Sequence, residues 1–69
     1  MYRKILGENI RKLRLARRIK QSELAEILGV QQMVVSLWEN GKRSPSVNKL
    51  VEMSLFFERS LDKLVGLDD

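Results

Sequence analysis

Residues 21–41, QSELAEILGVQQMVVSLWENG, hold two short helical patterns with almost nothing between them. Wound at about 100° per residue, residues 21–28 bring Leu24, Ile27 and Leu28 to one face and stop at Gly29, a helix-ending residue. A second helix over residues 32–40 gathers Val34, Val35 and Trp38 on its inner face and stops at Asn40-Gly41. Only Gly29, Val30 and Gln31 join the two. So short a connection with a glycine at its corner makes the helices cross steeply and leaves the second one protruding. Its outer face carries Gln32, Met33, Ser36, Leu37 and Asn40, two amides, a hydroxyl and two apolar side chains without a charge among them.

Only helices are signalled on either side of this pair. Leu6, Ile10, Leu13 and Arg17 recur at helical spacing and predict a first helix over roughly residues 4–17. Ser44-Pro45-Ser46 interrupts the chain, and Ser46 is a suitable N-cap for a fourth helix reaching about Phe57, with Leu50, Ser54 and Phe57, and Val47 nearby, forming its core stripe. A short fifth helix, about residues 61–65, stops at Gly66. The expected fold class is therefore all-α, a compact five-helix bundle forming a single domain over residues 1–69, with the third helix anchored on helices 1, 2 and 4. A chain of about this length buries only ~60% of its unfolded surface, which leaves a thin core and little room for a catalytic cavity.

Composition excludes most chemistry. There is no cysteine and no histidine, which removes disulfides, the usual zinc ligand sets and the commonest general base. The carboxylates fall on separate helical faces, Ser22, Ser36 and Ser60 have no histidine to activate them, and LGVQQM is no phosphate-binding glycine loop. The expectation is a protein that is not an enzyme and takes no metal, cofactor or small-molecule ligand. No apolar run approaches the ~18 residues of a membrane span and no signal-type segment opens the chain, so a cytoplasmic location without membrane contact is expected. Charge is more informative. The net +4 is unevenly spread: residues 1–20 hold eight cations against Glu8 alone, whereas from residue 50 onward five acids face Arg59 and Lys63. A chain so polarised suggests a polyanion on its basic side, and a B-DNA major groove, about 12 Å wide, admits one helix.

The stretch QSELAEILGVQQMVVSLWENGKRSPS, residues 21–46, resembles the phage-repressor-like, Cro-type (lambda-repressor-like) helix-turn-helix family: Gln, two variable residues and Leu-Ala, then Gly-Val, then Glu-Asn-Gly, and Pro-Ser opening the next helix. The resemblance extends over about residues 6–65. It implies a transcriptional regulator, read here as a repressor, that binds double-stranded operator DNA as a homodimer. Carried over residue by residue, it puts Gln21 on a DNA phosphate and Asn40, Lys42 and Arg43 on the backbone of the same half-site, contacts that position without reading sequence. It pairs Arg14 with Glu39 as a bridge from the first helix to the end of the third, where the plain alternative is two exposed charges. Base readout falls to Gln32, Met33, Ser36 and Leu37. Gln32 has the chemistry to pair with adenine N6 and N7 together, and Met33 and Leu37 to touch thymine methyls; the alternative for the apolar pair is a protein contact or simple exposure.

The chain departs from the family pattern in places. Lys20 and Gln31 stand where a serine or threonine N-cap is preferred, at a cost of about 1 kcal/mol each. Glu58 and Arg59 replace a small glycine and an apolar residue after the fourth helix, leaving that turn in question. Leu55 and Phe56 lie off the stripe expected for the fourth helix and need cover. With Leu61, Leu64 or Leu67 they are candidates for the dimer seam; alternatively Phe56 folds back over the core and Leu55 is merely exposed. The other reading of the whole chain is a protein-interaction module of the antitoxin or anti-repressor type, using Met33, Leu37, Leu55 or Phe56.

Overall fold

The computed structural model describes residues 2–66. Its helices are α1 (Tyr2–Ala16), α2 (Gln21–Leu28), α3 (Gln32–Glu39), α4 (Val47–Phe57) and α5 (Leu61–Val65), with no strand among the described residues. Helix α1 starts two residues before the expected point and closes with Arg18 in the left-handed region (φ 58°). There the Ile19 N–H reaches back to the Arg14 carbonyl at 3.3 Å.

One core unites all five helices: Leu6 and Ile10, Leu24, Ala25 and Leu28, Val35 and Trp38, Met53 and Phe57, and Leu64. Helix α3 packs chiefly on α1 and α2, while α4 rests on α5 and α2. The main support of α3 thus comes from two of the three helices expected. Two inner faces are also turned from where periodicity puts them. In α2, Ala25 is buried and Ile27 is exposed; in α4, Met53 is fully buried whereas Val47 is exposed. An unbranched methionine fills the irregular space between converging helices better than a short β-branched valine at the helix start.

The termini explain how weak caps are tolerated. Ser46 and Ser60 each accept the N–H three residues on, from Lys49 and Lys63, at 3.2 Å. Neither Lys20 nor Gln31 caps with its side chain. The Glu23 carboxylate instead accepts the Lys20 N–H at 2.7 Å, one half of a capping box. At the other end of α2, Lys49 Nζ donates to the Leu28 carbonyl, one of the acceptors a helix end leaves open. The questioned turn after α4 holds Glu58 in the left-handed region (φ 56°), where the Cβ of an L-residue costs roughly 1–2 kcal/mol. Glu58→Gly is expected to stabilise the protein by about 1 kcal/mol, raising the melting temperature by roughly 4–8 °C in a domain this small. An unchanged melting curve would show that the turn carries no strain.

Candidate nucleic-acid interface

The site is organised around the last residue of α3. Glu39 is buried, and its Oε2 accepts Arg14 Nε at 2.6 Å while Oε1 accepts Arg14 Nη2 at 3.1 Å, a two-pronged ion pair from α1. Arg14 Nη1 donates to the Ile19 carbonyl at 2.8 Å, and Gln21 Nε2 donates to Glu39 Oε1 at 3.0 Å. Every buried side-chain polar atom among the described residues has a partner. This joint seats the first residue of α2 beside the last residue of α3. Gln21 is thereby tied to the end of α3, a contact that its motif did not reveal. Its amide nitrogen carries two hydrogens, of which Glu39 takes one, and the residue stands at the start of α2, where backbone N–H groups favour an anion.

The outer face of α3 is graded in exposure. Gln32 and Asn40 are exposed and Met33 is 65% exposed, while Ser36 and Leu37 are half-buried. Asn40 Nδ2 donates to Ser36 Oγ at 3.3 Å, which leaves the serine hydroxyl hydrogen and the asparagine carbonyl free. After Asn40 the chain reverses through Gly41 (φ 71°), with the Gly41 N–H on the Trp38 carbonyl at 3.1 Å and the Lys42 N–H on the Leu37 carbonyl at 2.9 Å. Lys42 and Arg43 follow at once, exposed and in no ion pair among the described residues. Uncharged groups on α3 thus lie beside free cations and amide donors.

The apolar residues assigned to a dimer seam separate. Leu64 is fully buried and belongs to the core, because α5 lies against α1 and turns that side chain inward. The seam assignment is corrected there. Phe56 is half-buried against the core with the Arg17 guanidinium 5.3 Å over its ring. Leu55 is 75% exposed and Leu61 40%, so both remain accessible, and Leu67 lies outside the described residues. A residue that sequence reasoning missed is Gly7. An added Cβ there would sit 2.3 Å from the Trp38 carbonyl oxygen, so α1 and the end of α3 meet backbone to backbone. A glycine inside an otherwise continuous helix was the available signal.

The helix-turn-helix family model matches residues 10–64. The chain belongs to that family. The Cro-type helix-turn-helix is the fold of DNA-binding transcription regulators. The chain is similar to the HTH-type transcriptional activator BcrR of Enterococcus faecalis, 36% identical over 60 residues that make up 87% of this chain and 29% of BcrR. It is also similar to repressor protein C2 of Salmonella phage P22, 31% identical over 68 residues, 99% of this chain and 32% of C2. It therefore spans under a third of the length of these two relatives. A transcriptional regulator from Listeria innocua superposes with a TM-score of 0.85 at 33% identity, over 88% of this chain and 57% of that one. No described helix is long and apolar enough to cross a membrane.

Proposed function

We propose that this helix-turn-helix protein is a cytoplasmic, sequence-specific repressor whose two copies sit on a near-palindromic operator, each with α3 in a major groove. The observation that carries the reading is the uncharged outer face of α3 flanked by Gln21, Asn40, Lys42 and Arg43. In this reading those four hold phosphates, Gln32 pairs with an adenine edge, Ser36 hydrogen-bonds a base, and Met33 and Leu37 meet thymine methyls. Repression needs nothing more than occupancy of the operator, so no further surface has to be invoked. The seam between copies draws on Leu55 and Leu61 together with Val51, which is also exposed on α4.

Selection of bound fragments from random duplex tests this directly. The expected product is an A·T-rich site with half-sites about 10 bp apart, as two-fold symmetry and groove spacing require. Gln32→Ala is expected to relax one base position per half-site at a cost of about 1–3 kcal/mol. Sedimentation at ~100 μM, well above the usual protein range for operator binding, should give a dimer, and a monomer there removes the seam. Met33, 65% exposed, favours the second reading, a protein-docking module. Binding to duplex with a shallow salt dependence, instead of a log–log slope near −0.9 per phosphate contacted, would decide for it.

A further inference from the structure

We propose that Tyr2 is a positioning residue for the loop that grips the DNA backbone, an assignment that rests on the DNA-binding reading above. The Tyr2 hydroxyl lies 2.9 Å from Ser44 Oγ, 42 residues away in sequence. Two more contacts come from the first two turns of α1. The Gly41 Cα faces Lys4 so closely that an added Cβ would come 3.3 Å from the Lys4 Cα, and Gly7 meets the Trp38 carbonyl. The first two turns of α1 therefore run along the end of α3 and the loop that follows it.

That loop has few other restraints. Lys42 is tied by its N–H to the Leu37 carbonyl. From Arg43 to Pro45, among the described residues, no backbone hydrogen bond outside the helices forms, and the bond to Tyr2 is the one side-chain hydrogen bond that residues 41–45 make. Pro45 is buried and pins the far end. Between these two fixed points the Tyr2–Ser44 bond sets how the backbone of Lys42 and Arg43 is presented. Tyr2 is 53% exposed, so its ring adds little to the core and loss of the hydroxyl acts on the loop in preference to the fold. Ordering flexible cations before binding removes an entropic cost that DNA would otherwise meet.

Tyr2→Phe removes only the hydroxyl. It is expected to weaken binding to the selected duplex roughly three- to tenfold, the range of one net hydrogen bond. The salt slope should fall by about one phosphate's share, the base preference should stay that of the parent, and the melting temperature should drop by no more than a few degrees. A bond with purely structural effect would lower the melting temperature and leave affinity and slope at parental values. Ser44→Ala should reproduce the loss, the double variant should be no weaker than either single one, and Ser44→Thr should restore affinity because it returns a hydroxyl. A Tyr2→Phe protein with parental affinity and slope, or losses that add in the double variant, would overturn the assignment while leaving DNA binding intact. A parent chain that binds no duplex overturns both.

Discussion

Replacing Glu39 with alanine is expected to cost about 3–5 kcal/mol of stability, because it leaves the buried Arg14 guanidinium without its carboxylate. The Ile19 carbonyl alone, at 2.8 Å from Nη1, cannot balance a full charge held away from water. A chain of this length has a total stability of roughly 3–10 kcal/mol, so the variant should be largely unfolded in mild urea. Equilibrium denaturation followed by helical circular dichroism measures the loss. The paired replacement Arg14→Met with Glu39→Leu removes both charges, and it should recover most of the stability, since apolar substitutes for a buried ion pair are often neutral or better. Its DNA affinity should nevertheless stay below that of the parent, because Gln21 has lost the acceptor that orients it. A Glu39→Ala protein within about 1 kcal/mol of the parent, the range of solvated surface pairs, would mean that the joint between α1 and α3 lies elsewhere.

Gly7→Ala is expected to destabilise by about 3 kcal/mol, although alanine is the better helix former by roughly 1 kcal/mol. The added methyl would stand 2.3 Å from the Trp38 carbonyl oxygen and 2.9 Å from that of Glu39. Both are backbone atoms, so no change of rotamer relieves the overlap. Helix α1 would have to withdraw from α3 by about 1 Å to reach ordinary van der Waals distance, stretching the Arg14–Glu39 pair as it went. Gly29→Ala is the natural comparison. Nothing lies within 4 Å of a Cβ at Gly29, but its φ is +70°, so the expected cost is the smaller left-handed penalty of about 1 kcal/mol. Thermal melts of both variants check the order. Equal losses, or a milder effect at Gly7, would contradict the close approach of the two helices.

Much of the fold could be read from local pattern. The bounds of α2 and α5 coincide with those expected from the residues, and α3 differs by one residue at its end. These elements are set by apolar spacing of three and four and by neighbours such as Gly29 and Gly66, whose effects act within a turn or two. The candidate interface was legible for a similar reason. A protruding helix without charge on its outer face, in a chain with eight cations in its first 20 residues, is a feature of composition and spacing alone.

What the residues could not disclose is how each helix is rotated about its own axis. Met53 instead of Val47 in the core, Ala25 instead of Ile27, and Leu64 inside instead of on a seam all turn on which neighbour a helix meets. Phe56 is half-covered because Arg17, far off in the chain, lies over it. The helices, their order and the helix-turn-helix corner could thus be read from the residues, because hydrogen bonding and side-chain periodicity within one segment decide them. The facing of α4 and α5, the contact at Gly7, the bond from Gln21 to Glu39 and the reach of Tyr2 to Ser44 emerged only with the packed molecule. Those depend on burial and hydrogen bonds between segments distant along the chain, which no local spacing encodes.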